Sequence, residues 1–236
     1  MIILGIDTSA VTASAAVLKD GKIVSECYLD AGLTHSQTLM ELIDAVLRLA
    51  GVGTEDIDAY AVAHGPGSFT GVRIGVSAVK GLSFPRGTPC YGISTLEALA
   101  CCADSDDCVI CPVMDARCQQ VYTAQFKKAN GELIRLAPDE PLALEELSDR
   151  LAKYSEKIML IGDGTEITWK YLSPKMDRVV RFSEIYRFQH ASGVAIAAWK
   201  KYNKQEPFGS GAELQPVYLR LSQAERELKK KNEQKR

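Results

Sequence analysis

Histidine is scarce in this chain of 236 residues, which has three: His35, His64 and His190. None has a second histidine close by in sequence, so a histidine-built metal centre has no local motif to start from. Charge of one sign is lacking as well. Lys and Arg number 28 against 30 Asp and Glu, a formal net charge of -2, which excludes a global basic field that would draw nucleic acid or an anionic membrane. Any RNA contact must be local or delegated to a partner. Long apolar runs are missing too. Met1-Ile2-Ile3-Leu4-Gly5-Ile6-Asp7 has no basic leader and is cut short by Asp7, and no later run approaches spanning length. The expectation is a cytoplasmic protein with no membrane partner, long enough for one large domain or, as preferred here, two small ones.

Seven cysteines are present, five of them clustered as Cys101, Cys102, Cys108, Cys111 and Cys118. Cys108-Val-Ile-Cys111 has the spacing of a zinc knuckle, but it opens the strand-like run to Met114, which aims the two sulfurs at opposite faces. No second spaced pair or histidine completes four ligands. Reduced, packed thiols without a metal are expected.

Signals are densest from Gly65 to Leu82. An apolar run, Ala59 to Ala63, leads through His64 into Gly65-Pro66-Gly67, a buried strand ending in a forced turn. Thr70 is placed as the cap of a helix over 70–83. On a 3.6-residue wheel Gly71, Gly75 and Ala78 form one stripe, Val72, Val76 and Val79 a second, and Arg73, Ser77 and Lys80 a third. Two dry faces ask for two covers, the helix's own sheet and another protein. A phosphate cradle at this turn is the competing reading. It is disfavoured because no Gly-x-x-x-x-Gly-Lys-Ser/Thr run is present and Phe69 stands where a small residue is wanted. Plain helix-on-sheet packing of the small residues is the third reading.

Three antiparallel strands open the chain: Ile2 to Asp7, Thr12 to Leu18 and, after Asp20-Gly21, Lys22 to Leu29. Thr34-His35-Ser36-Gln37 has the form of a capping box before an amphipathic helix over 36–50 that stops at Gly51. His35 is read as fixing this turn by hydrogen bonding. Strands at 58–64 and 89–93, the helix between them and a helix at 95–100 give the order βββαβαβα, a ribonuclease-H-like half. The Asp104–Asp107 run marks a boundary, so the expected units are 1–104, 105–222 and a charged tail, 223–236. The second half repeats the pattern, with strands at 108–114, 120–127, 132–136 and 157–161, helices at 142–151, after Gly162-Asp163-Gly164 and at 191–199, and Pro216 to Arg220 extended. From Glu225 the chain is lysine-rich, read as a frayed, solvated tail with a basic arm on RNA phosphates as the alternative.

Several of these stretches, in this order, resemble the TsaB family, also called YeaZ: Ile6-Asp7-Thr8-Ser9, His35-Ser36, Gly65 to Gly75, Lys80-Gly81-Leu82, Met114-Asp115-Ala116-Arg117, Gly162-Asp163-Gly164 and Pro216-x-Tyr218-Leu219-Arg220. Glu41 and Cys118-Gln119-Gln120 depart from that pattern. The resemblance implies an α/β fold of the actin, sugar-kinase and Hsp70 type (ASKHA), with two ribonuclease-H-like lobes and mixed sheets. It also implies a non-catalytic accessory subunit that binds a catalytic paralogue, TsaD, and with it the P-loop ATPase TsaE. That assembly forms the threonylcarbamoyl group on N6 of adenosine 37 in tRNAs reading codons that begin with A. tRNA is then met indirectly through the complex, and the free chain is expected to be a homodimer.

The implied TsaD-like histidine pair is missing from the corresponding stretch, Tyr91 to Ala98, where Glu97 is the one residue that could readily ligate a hard metal. Phosphate-cradling glycines are missing after Asp7 and Asp115. No cofactor is therefore expected of this chain, a nucleotide being conceivable only at the interface with TsaD; Asp7, Thr8 and Ser9 are weak candidates for contact. The expected partner surface is the helix pair 36–50 and 70–83, through Leu39, Ile43, Val46, Leu47, Gly71, Val72, Arg73, Gly75, Val76 and Val79. The alternative is a stand-alone enzyme of the same fold, metallopeptidase-like or a phosphotransferase. The missing histidine pair and glycines weigh against it.

Overall fold

A computed structural model describes residues 1–103, 105–184 and 187–220. β1 (Ile2–Asp7), β2 (Ala13–Lys19) and β3 (Lys22–Leu29) form an antiparallel meander. After α1 (His35–Ala50), β4 (Ala59–Gly65) returns parallel to β1, and after α2 (Phe69–Ser83), β5 (Cys90–Ser94) runs parallel to β4. α3 (Thr95–Cys102) ends the half. The second half repeats this connection: β6 (Cys108–Asp115), β7 (Gln120–Ala129), β8 (Glu132–Ala143), α4 (Leu144–Leu151), β9 (Lys157–Ile161), α5 (Thr165–Leu172), β10 (Val179–Arg181) and α6 (Ala191–Asn203). Strand orders are β3-β2-β1-β4-β5 and β10-β9-β6-β7-β8. Each meander thus leads into parallel strands joined by helices, as the pattern of alternating and continuous apolar runs implies.

Several local expectations are corrected. Ser68, not Thr70, caps α2, its Oγ accepting from the Gly71 amide at 3.2 Å. Thr34 makes no side-chain cap, because its hydroxyl donates to Gln37 Oε1 at 2.6 Å instead. β8 runs on to Ala143, so α4 begins at Leu144 and not Leu142. β10 was not expected. Three residues are too few for a periodicity to be read.

Side chains alternate across each sheet into separate layers. Leu4, Ile6, Val17 and Val62 meet α1 and α2, while Ile3, Leu18, Ala61 and Ala63 meet α6. In the second sheet Cys111 faces the layer of Leu147 and Leu172, and Cys108 the layer of Leu96 and Phe126. The two sulfurs point to opposite faces, as the strand reading requires.

The partner-surface expectation fails at nine of its ten residues. Leu39, Ile43, Val46, Leu47, Val72, Val76 and Val79 are buried in the layer between α1, α2 and the first sheet. Gly71 and Gly75 are buried against the turn after β1: a methyl group on Gly71 would overlap the Thr8 carbonyl oxygen, and one on Gly75 would lie 2.6 Å from Thr8 Oγ1. The valine stripe takes the sheet and the small-residue stripe takes the chain's own turn. Both covers are intramolecular, and Arg73 alone of the ten is exposed.

The two halves exchange their last helices. α3 crosses α6 and packs on β6 and β7, while α6 packs on β1 and β2. The crossing is close enough that a side chain on Gly193 would meet the Ala98 carbonyl. The chain after α6 also stays with the first sheet, where Gly209 pairs with Cys90 and the Val217 amide donates to the His64 carbonyl at 2.7 Å. Residues 191–214, grouped in the expectation with 105–222, therefore pack with the first sheet. The tail at 223–236 lies outside the described residues.

Candidate functional site

The parallel strands β1, β4, β6 and β9 end at one side of the molecule, and the turns that follow them surround a cleft of about 390 Å³. This is where open α/β sheets gather their ligand-facing loops. Its walls are Ser9–Val11, Pro66–Phe69, Met114–Arg117, Asp163 and Val217–Arg220. Five of the motifs that stand far apart in sequence therefore converge on one place.

Asp7 lies just behind the wall. Its Oδ1 accepts from the Ser9 amide at 2.8 Å and the Ser9 hydroxyl at 2.7 Å, an Asx-type turn that fixes the chain as it leaves β1. Oδ2 is buried and has no partner among the described residues. Burial pushes the carboxyl up to about 6, with the Ser9 bonds and the charges of His190 and His35 pulling it back. Thr8 Oγ1 donates to the Gly71 carbonyl at 2.8 Å, and the Ser9 carbonyl accepts from the Ser68 amide at 2.6 Å. All three weak candidates for cofactor contact thus have a local structural task, holding the β1 turn against α2. His35 joins them, its Nε2 lying 2.8 Å from the Ala10 carbonyl oxygen.

On the other side Asp115 Oδ1 accepts from the Arg117 amide at 2.7 Å, and Asp163 Oδ1 accepts from Gln189 Nε2 at 3.1 Å. Burial raises the Asp163 carboxyl above the usual range. The hairpin joining β6 to β7 is unusual: Arg117, Cys118 and Gln119 all hold left-handed backbone, with φ of 66, 55 and 56°. Glycine adopts that conformation freely and other residues do so at a cost. Of the three, Arg117 lines the cleft, while Cys118 and Gln119 are exposed.

Sequence reasoning missed the aromatic stack on the cleft rim. Phe69 and Tyr218 lie with centroids 4.5 Å apart, and the Arg73 guanidinium sits 3.8 Å from the Phe69 centroid. The misfit of Phe69 with a phosphate turn was the available signal. Among the described residues no group of three or more His, Cys, Asp or Glu side chains could hold a metal ion, and no helix is long and apolar enough to cross a membrane.

Away from the cleft, α1 and α2 leave a partly apolar outer face. Leu49 is 71% exposed and Met40 52% on α1, and Ser77 and Gly81 of α2 are exposed as well.

The family model described as TsaD, tRNA N6-adenosine threonylcarbamoyltransferase, matches residues 29–228. The tRNA threonylcarbamoyladenosine biosynthesis protein TsaB of Bacillus subtilis (strain 168) is 34% identical over 167 residues, 71% of this chain and 73% of that protein. The chain belongs to the TsaB family. The TsaB protein of Escherichia coli (strain K12) is 29% identical over 97% of this chain and 98% of its own length. Among solved structures, YeaZ from Pseudomonas aeruginosa superposes with a TM-score of 0.78 at 27% identity, covering 92% of this chain and 99% of that one. Component A of the (R)-2-hydroxyglutaryl-CoA dehydratase from Acidaminococcus fermentans, at 14% identity and a TM-score of 0.53, shares the fold alone. The two repeated mixed sheets are those of the actin, sugar-kinase and Hsp70 class. The stretch from Gly65 to Gly75 that carries the TsaB resemblance is thus partly cleft wall and partly the joint between α2 and the β1 turn.

Proposed function

We propose that this chain is a non-catalytic subunit in tRNA threonylcarbamoyladenosine biosynthesis, binding a TsaD-like paralogue through the outer face of α1 and α2, with a TsaE-like P-loop ATPase joining the same assembly. The observation that carries the surface is the exposure of Met40 and Leu49 on the two flanks of a helix whose buried stripe is fully used by the sheet. Apolar side chains that a helix does not need for its own core are the usual seed of a subunit contact. Free chains cover the same face with a second copy, so homodimer and heterodimer exclude one another.

The accessory role is supported by the cleft. The Asp7 turn is tied down by Ser9, and the β6–β7 hairpin carries Arg117, Cys118 and Gln119 where a phosphate-binding site needs bare backbone. The reading is tested with Leu49→Glu and Met40→Glu, assayed by native mass spectrometry alone and with the TsaD-like paralogue. A carboxylate placed at a dry contact costs about 3 kcal/mol or more, roughly 100-fold or more in affinity. Loss of both homodimer and heterodimer, with the melting temperature kept, is the expected result. Variants that fold normally and bind as tightly as the parent chain place the contact elsewhere.

A further inference from the structure

Residues 215–220 belong to neither sheet, yet they touch both halves of the molecule. At one end the Val217 amide is bound to the His64 carbonyl at the end of β4. Tyr218 lies on Phe69, and Arg73 completes the stack, its Nε donating to the Tyr218 hydroxyl at 2.7 Å. At the other end Arg220 Nη1 donates to the Ala116 carbonyl at 2.7 Å, in the second half. Val217–Arg220 line the cleft throughout. The segment therefore crosses the mouth of the cleft and is fastened on both banks.

We infer that residues 215–220 are a strap that holds the cleft closed, with Arg73 as its catch, and that a protein partner presenting a carboxylate to α2 frees it. Arg73 is the fastening that also faces outward from α2, on the exposed third stripe of that helix. Its acceptor in the strap is a neutral phenol. A guanidinium keeps its charge at every physiological pH, and its bond to a carboxylate is shorter and stronger than its bond to a neutral oxygen. An acidic side chain docked on α2 thus competes with Tyr218 on favourable terms. With Arg73 withdrawn, the Tyr218–Phe69 stack loses both the hydrogen bond and the cation over its face, and the strap keeps the ring contact and the bonds of Gln215, Val217 and Arg220. The release half of this inference rests on the partner-subunit reading above; the latch half is a property of the free chain.

Hydrogen exchange read by mass spectrometry on the full chain tests both halves. In free Arg73→Gln, exchange over 215–220 and over the 116–119 hairpin is expected to rise about tenfold, with β1 and β4 unchanged. Strap protection equal to that of the parent chain overturns the latch. If Arg73→Gln loses protection throughout, Tyr218→Phe, which keeps the ring and removes the hydroxyl, carries the same test: faster exchange confined to the strap supports the catch, and unchanged exchange refutes it. Saturating the parent chain with the TsaD-like paralogue is expected to speed exchange over 215–220 while slowing it on α1 and α2. Slowing on α1 and α2 with an unmoved strap overturns release. No complex at all refutes the partner reading instead and leaves the latch to be decided by the free variants.

Discussion

Replacing Asp7 by Asn isolates the electrostatic cost of the turn behind the cleft. The side chain is 1% exposed and its carboxyl is pushed from an ordinary 3.8 to about 6 by burial. A shift of about two pH units corresponds to about 3 kcal/mol between the two protonation states. Between pH 4 and 6 the native chain holds a proton here that the unfolded chain has released, so the unfolding free energy falls as pH rises through that window. Below about pH 4 both states are protonated and there is no penalty; above about 6 both are ionised and the full penalty applies. Asn keeps an oxygen for the two Ser9 bonds and carries no charge at any pH. Its amide nitrogen replaces Oδ2, which has no partner among the described residues, at a cost of about 1–3 kcal/mol that does not change with pH. Urea unfolding at pH 4, 5, 6 and 7.5 should therefore show the variant gaining on the parent chain by about 2.5 kcal/mol across the series, whichever is more stable at the start. His35 and His190 lie within electrostatic reach, so the difference reports Asp7 together with its coupling to them. Parallel curves for the two proteins would show that Asp7 is ionised in the fold without penalty and refute the argument.

Val76→Glu probes the core and not the partner face, because Val76 is 3% exposed against the first sheet. An unpaired carboxylate there should remove about 3–5 kcal/mol of stability, whereas Leu49→Glu on the outer face should shift the melting temperature by about 2 °C or less; near-equal melting curves for the two variants would contradict the assignment of faces. Alkylation of the native protein at pH 8 should label the exposed Cys118 first, since burial pushes both Cys101 and Cys111 up to about 11 and leaves roughly one thiol in a thousand ionised. Peptide mapping that finds Cys101 or Cys111 labelled as fast as Cys118 would overturn that ordering.

The strand order was legible because each meander and each crossover leaves its own period in the sequence. Asn130-Gly131 turns β7 into β8, with φ of 54 and 77°, and Cys108 and Cys111 fall on opposite faces because a strand alternates. Which face of a helix looks outward was not legible. Periodicity along α1 marks the apolar side, and the expectation took that side for a partner's when the chain's own sheet claims all of it. The outward residues, Met40 and Leu49, interrupt the polar face singly and carry no period. The strap was hidden for a related reason: residues 215–220 have no ladder and no helical spacing, and only the placement of His64, Phe69, Arg73 and Ala116 gives them a role. α6 shows the limit from the other side. Its apolar residues run nearly all round, which says that it is buried but not that it is buried on the first sheet.

The duplication also accounts for why docking is proposed on the first half and not the second. Both sheets have one face covered by two helices and the other by the exchanged helix, so the burial demand on each side is alike. The covering helices differ in length. α1 and α2 have 16 and 15 residues, while their counterparts α4 and α5 have 8 each. At 1.5 Å per residue the first pair is about 23 Å long and the second about 12 Å. Strand length does not set this difference, since β6 has 8 residues against 6 in β1 and 7 in β4. A helix of four turns presents an outer face to solvent along its whole length, and on α1 Met40 and Leu49, two and a half turns apart, stand on the opposite flanks of that face with Glu41, Asp44 and Arg48 between them. α4 spends its outer face on Glu145, Glu146 and Asp149. A carboxylate-rich stripe resists a dry contact, and on α1 it is the apolar flanks at Met40 and Leu49, not the charged middle, that are open to one.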